Sequence, residues 1–127
     1  MKRILVIDDD PIMRETIKDI LTYERYDVVE AADGREGMEL MKTQKFDMVV
    51  TDVLMPDKDG LEVILETKQK YPNVNIVAIS GGGYVSAENY LRMAIDFGAN
   101  ATVVKPFDID FFLNEVNSLL RPKKIAV

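Results

Sequence analysis

The chain has 127 residues, 47% of them apolar and 30% charged, which is the size and composition of one globular domain. Its 16 Lys+Arg against 22 Asp+Glu leave a net charge of −6, so an extended nucleic-acid backbone would be repelled overall and is not an expected partner. With no Cys and no His, the sequence offers no disulfide, thiolate nucleophile, common zinc site, Ser-His-Asp triad or phosphohistidine of its own, and its chemistry must rest on carboxylates, hydroxyls and lysines.

The first element is the apolar run Ile4 to Ile7, a short buried strand that ends in three aspartates. The run is too short for a signal peptide or a membrane span, so the expected location is cytoplasmic, with no membrane partner. Asp10 and Pro11 then supply an N-cap and a first-turn proline for a helix whose apolar face is Met13, Ile17, Ile20 and Leu21. Val28-Val29 marks a second strand, and Arg35 to Gln44 a second helix carried mainly by Met38 and Met41. A third strand at Met48 to Val50 leads through a Pro-, Asp- and Gly-containing turn to a helix with Leu61, Ile64 and Leu65 on its apolar face. Ile76 to Ile79 is the fourth strand, followed by a helix with Ala87, Leu91, Ala94 and Ile95 inward and Gly98 as its stop. Ala101 to Val104 is the fifth, followed by a helix patterned on Ile109, Phe112, Leu113, Val116 and Leu120.

Strand then helix, five times over, gives units of about 25 residues, close to a βαβ repeat, whereas an eight-fold barrel needs about 250 in all. The expected architecture is an open, doubly wound parallel α/β sheet over residues 1–121, with a short C-terminal tail at 122–127 and no attached output domain. In such sheets ligands bind outside the carboxyl ends of the strands. Those ends are Asp8-Asp9-Asp10, Thr51-Asp52, Ser80 and Lys105-Pro106. Asp10 is assigned to helix capping, and Asp57 and Asp59 to turn chemistry. Carboxylates about 4 Å apart repel by about 4 kcal/mol per pair at an effective dielectric of 20, so such a cluster must share a proton or bind a cation. An all-oxygen site suits Mg²⁺, which uses few protein ligands and keeps waters for a phosphoryl group. With Lys105 offsetting charge and Ser80 donating a hydrogen bond, the arrangement suits a phosphoryl group on an aspartate.

Ile4-Leu5-Val6-Ile7-Asp8-Asp9-Asp10-Pro11, then Asp52-Val53-Leu54-Met55-Pro56 with Asp59-Gly60, then Val103-Val104-Lys105-Pro106-Phe107 together resemble the receiver domains of two-component response regulators, from Lys2 to about Leu120. The resemblance implies a flavodoxin-like sheet of order 2-1-3-4-5 with five helices. It implies Asp52 as phosphoacceptor, Asp9 as direct Mg²⁺ ligand, Asp8 acting partly through water, and the backbone carbonyl of Leu54 as a further ligand. Ser80 falls at the hydroxyl switch position and Lys105 at the position that pairs with the phosphoryl group, with a cis bond before Pro106 that would aim the lysine inward. The implied partners are a sensor histidine kinase or phosphotransfer protein, and a downstream protein docking on the face of helix four, strand five and helix five. Such a chain is no enzyme beyond catalysing its own phosphorylation and dephosphorylation.

Two departures stand out. The family's switch aromatic on strand five is Thr102 here, and Gly81-Gly82-Gly83 follows Ser80 where larger residues are usual, which predicts a mobile loop. Tyr90, Met93 and Phe97 form a second apolar stripe on helix four and Phe111 stands beside the core positions of helix five, and some of these aromatic and apolar side chains are expected to be exposed for docking. Two other readings remain open at this point. Asp8-x-Asp10 also resembles the nucleophile and acid/base pair of haloacid dehalogenase phosphatases, and a pseudo-receiver would keep the fold as an unphosphorylated interaction module.

Overall fold

The structure is a computed structural model that describes residues 1–55, 59–81 and 87–121. The elements run β1 (Arg3–Ile7), α1 (Pro11–Tyr23), β2 (Asp27–Ala31), α2 (Gly34–Thr43), β3 (Met48–Asp52), α3 (Gly60–Lys70), β4 (Asn75–Ser80), α4 (Ala87–Phe97), β5 (Ala101–Val104) and α5 (Ile109–Leu120). All four strand pairings are parallel and the order is β2-β1-β3-β4-β5, as the resemblance implies. No helix among the described residues is long and apolar enough to cross a membrane.

The period of two along each strand sorts the core into layers. Ile4 and Val6 of β1 point to one face, where Ile17 and Leu21 of α1 meet Phe112, Val116 and Leu120 of α5. Leu5 and Ile7 point to the other, against Met38 and Met41 of α2 and Val63 of α3. Further along that second face, Leu61 and Ile64 of α3 pack with Leu91 and Ala94 of α4 over Ile76 and Ala78. Central strands covered on both faces must be apolar throughout, which is why Ile4 to Ile7 is an unbroken hydrophobic run.

Four helix starts are set locally by aspartate. Asp10 accepts from the amides of Ile12 and Met13, Asp33 from Glu36, Asp59 from Glu62, and Asp108 from Asp110 and Phe111. Each satisfies amides that the first turn leaves without an intrahelical partner. At the other end of α4, Gly98 adopts a φ of 123°, and a Cβ there would press into the side chain of Lys68.

Three residues assigned to buried helix faces are exposed instead: Leu65 at 41%, Ile95 at 47% and Ile109 at 52%. Each lies at the margin of its apolar stripe, where the neighbouring helix does not reach far enough to cover it. Met93 of the second stripe and Phe111 of α5 are exposed, while Tyr90 and Phe97 pack partly against the α3/α4 cluster. The expectations for Asp57, Gly82, Gly83 and the tail at 122–127 fall outside the described residues.

Candidate functional site

The carboxyl ends of β1 and β3, neighbours in the sheet, bring Asp8 and Asp52 side by side, because Ile7 pairs with Thr51 in parallel register. Asp9 follows on the same edge. One carboxylate oxygen from each of Asp8, Asp9 and Asp52 lies within 4.8 Å of the other two. Asp8 and Asp52 are buried and Asp9 is exposed, so the cluster has a walled side and an open side.

Lys105 reaches in from the end of β5. Its Nζ lies 3.1 Å from Asp52 Oδ2 and 3.4 Å from Asp8 Oδ2, a span of 97 residues along the chain in the second case. The Lys105–Pro106 bond is cis. Main-chain amides hold the remaining oxygens: Asp10 donates to Asp8 Oδ1 at 2.9 Å and Leu54 to Asp52 Oδ1 at 3.1 Å. Asp9 makes no hydrogen bond or ion pair among the described residues.

Among the described residues, the three carboxylates and one ammonium of this cluster sum to a formal charge of 1 − 3 = −2. The strain registers on Asp8, whose carboxyl is held above the ordinary carboxylate value, first by burial and further by the charge of Asp52. The amide of Asp10 and the ammonium of Lys105 pull the other way without cancelling the rise. On Lys105, burial works against the charged form, but the combined attraction of Asp52 and Asp8 prevails and its pKa rises.

The donor set fits a hard divalent cation. Its ligand atoms are all oxygen, their charge matches the deficit, and an octahedral Mg²⁺ with bonds of about 2.1 Å spans about 3 to 4 Å between ligands, slightly less than the present spread. The exposed flank at Asp9 leaves room for the waters that Mg²⁺ retains.

Ser80 is buried at the end of β4, one position past Ile79, the register partner of Asp52, and its carbonyl accepts from the amide of Lys105 at 2.8 Å. Asp10 does not join the cluster, because its carboxylate caps α1. That removes the paired carboxylate required by the Asp8-x-Asp10 phosphatase reading. Asp59 likewise caps α3, a more specific role than the turn residue expected for it.

Two supports were not anticipated. Gly60, at the start of α3, sits so close to the end of β3 that a Cβ would overlap the carbonyl oxygen of Asp52. Its amide donates to Val53 at 2.9 Å, seating the helix directly under the strand end. Arg14, from α1, donates to the main-chain carbonyl of Asp8 at 2.7 Å. A charged residue on the face that also carries Met13 and Ile17 was the available signal for it.

Residues 4–117 match the family of response regulator receiver domains. The chain belongs to that family. The receiver is 36% identical over 119 residues to the chemotaxis protein CheY of Thermotoga maritima, covering 93% of this chain and 97% of that protein. It is 38% identical over 120 residues to the response regulator MprA of Mycolicibacterium vanbaalenii, covering 94% of this chain but only 50% of MprA, so it spans about half the length of that relative. Among solved structures, the response regulator protein TrrA of Thermotoga maritima, in complex with Mg(2+)-BeF, superposes with a TM-score of 0.84 at 32% identity, covering 94% of this receiver and 99% of that chain. Receivers are signalling domains rather than enzymes acting on a separate substrate pool, and they hold Mg²⁺ at the acidic pocket.

Proposed function

We propose that this receiver takes a phosphoryl group from a phosphohistidine of a sensor kinase or phosphotransfer protein onto the carboxylate of Asp52. The observation that carries the reading is the ion pair of Lys105 with Asp52 at 3.1 Å inside a cluster of three carboxylates. An ammonium there holds one oxygen of Asp52 in place and stands ready to stabilise charge on an incoming phosphoryl oxygen. In the transfer, a carboxylate oxygen of Asp52 forms the new O–P bond as the N–P bond to the partner's imidazole breaks, and the imidazole takes up a proton. The chain's own lack of histidine is consistent with the acceptor side of such a relay.

Asp8, Asp9, Asp52 and the carbonyl of Leu54 would hold Mg²⁺, which supplies neutralisation of the transferring oxygens when bound. Leu54 already donates its amide to Asp52, so the loop that would offer its carbonyl is tied to the acceptor itself. Ser80 would donate to a phosphoryl oxygen. Its place at the end of β4, linked through its carbonyl to Lys105, would let phosphorylation be felt by β5 and α4. The exposed Met93, Phe111 and Val104 lie on the α4, β5 and α5 elements and would form part of the docking face for a downstream protein. With Thr102 half-buried on β5, that response cannot depend on an aromatic side chain changing rotamer at this position. A cytoplasmic location fits a partner that carries phosphohistidine.

The test is incubation with a small-molecule phosphodonor and Mg²⁺, followed by intact-mass measurement. One added phosphoryl group on wild type and none on Asp52→Asn is the expected result. No addition to wild type would favour an interaction module that keeps the fold without the chemistry.

A further inference from the structure

Asp8, Asp9 and Asp10 form the loop between β1 and α1, and the polar contacts of that loop share an anchor outside the acidic cluster. Asp8 is fixed through its amide to Ala31 of β2 at 3.2 Å and through its carboxylate to Lys105 and the amide of Asp10. Its carbonyl accepts from Arg14 Nη1 at 2.7 Å. The main-chain amide of Arg14 donates to the carbonyl of Asp10 at 2.9 Å. The side chain of Arg14 thus holds the loop immediately before Asp9, while its amide makes the ordinary first-turn bond of α1 to Asp10, which any residue at 14 would make. The guanidinium is itself braced, because Nε faces Glu30 of β2 at 3.5 Å, and Glu30 also pairs with Lys18 at 3.4 Å. Arg14 is only 20% exposed, so its geometry is fixed by packing as well as by charge.

Building on the proposed cation site, we infer that Arg14 is a positioning residue that holds the Asp8–Asp9 loop in the narrow geometry Mg²⁺ demands and so sets the preference of this pocket for Mg²⁺ over Ca²⁺. The physical reason lies in the ions. Mg²⁺ requires near-ideal octahedral placement, whereas Ca²⁺ accepts irregular ligands at longer distance. A loop freed from Arg14 would still present its carboxylates, but over a wider range of positions, and that harms the stricter ion more. Lysine at position 14 would keep the charge but lacks the planar fork needed to reach Asp8 and Glu30 together.

The experiment is calorimetric titration of Mg²⁺ and, separately, of Ca²⁺ into wild type and Arg14→Lys, Arg14→Met, Glu30→Gln, Lys18→Gln and Asp9→Asn, each first shown by urea melting to unfold cooperatively. Both Arg14 variants should bind Mg²⁺ about tenfold more weakly, as loss of an outer partner commonly does, with a smaller loss for Ca²⁺. Glu30→Gln, which keeps the fold's shape but unbraces the guanidinium, should lose about threefold for Mg²⁺, and Lys18→Gln should be unchanged. A general loosening of the fold would weaken both ions alike. Unchanged Mg²⁺ affinity in the Arg14 variants, or equal losses for the two ions, would overturn the inference while leaving the site itself intact provided Asp9→Asn still removes binding. Failure of wild type to bind Mg²⁺ would bring down the cation site, and the role of Arg14 with it.

Discussion

At the amino edge of the sheet, Arg3 donates from Nε to Asp27 at 2.9 Å, from Nη2 to Gln44 at 2.7 Å and from its own amide to Asp47 at 2.8 Å, with its guanidinium over the ring of Phe46. Both carboxylates there have a donor from the same residue. At the carboxyl edge, three carboxylates share one ammonium, and Asp9 has no partner among the described residues. Both edges set carboxylates around a cation at opposite ends of the sheet, so the difference that matters is one of compensation. A cluster whose charges are satisfied internally stabilises the fold, and one left in deficit is arranged for something that arrives from outside.

The largest effect should come from removing the cation paired with Asp52 and Asp8 at the deficient edge. Lys105→Met should slow phosphorylation by a small donor about a hundredfold, the range expected when a preorganised charge on a transferring group is lost, as followed by intact mass against time. A rate within about threefold of wild type would place the essential positive charge elsewhere.

The balanced edge predicts the opposite profile, a stability defect with little change in chemistry. Arg3→Met removes an ion pair, a hydrogen bond and a cation–π contact at a partly exposed site, and should cost about 1 kcal/mol in urea unfolding. Its phosphorylation rate should stay at the wild-type level.

Asp8→Asn turns the comparison around, because here substitution should stabilise the metal-free protein. The folded-state pKa of Asp8 is raised, so its contribution to stability is fully present below the ordinary value of 3.8 and is lost as pH rises through the folded value. The advantage of Asp8→Asn over wild type in thermal melts with chelator should therefore be absent at low pH and grow toward neutrality. Added Mg²⁺ should shrink it. An advantage independent of pH would show that burial of the carboxylate is not its source.

The smallest effect concerns Leu54, which is 36% exposed beside Asp52 and has no group to orient a water. Leu54→Asn should speed loss of the phosphoryl group a few-fold, about three to ten, by placing an amide where an attacking water needs aligning. Decay after donor removal, in excess Mg²⁺, measures it. An unchanged lifetime would shift control of hydrolysis to Lys105.

Much of this molecule is written in short-range pattern. The apolar run Ile4 to Ile7, the Asp10-Pro11 helix start and the Gly98 stop each depend on atoms within a few residues, and each is found where the sequence places it. The acidic edge was legible for a related reason. In a parallel sheet every strand ends on the same side, so Asp8, Asp52, Ser80 and Lys105 fall on one edge once the strands are recognised. The motifs shared with receivers then gave those residues an order and a role.

The depth to which an apolar stripe is covered, by contrast, is fixed by partners far along the chain. Leu65, Ile95 and Ile109 carry the periodicity of buried residues yet stand half in solvent, because periodicity marks the centre of a face and neighbouring helices decide its width. Asp10 and Asp9 are adjacent and chemically identical, and one caps a helix while the other faces the cluster. Arg14 reads as one more charged residue of an amphipathic helix until β2 sets Glu30 beside it and the turn of α1 brings its guanidinium back to Asp8. Sequence by itself determined the elements, their parallel alternation and the edge on which the acidic residues gather, since these follow from local sterics and from burial repeated along the chain, while the strand order was implied by the resemblance to receivers. Tertiary structure alone decided which charges are compensated, because a 3 Å ion pair such as Lys105 with Asp52 joins residues 53 apart in the chain and depends on how β4 packs between β3 and β5.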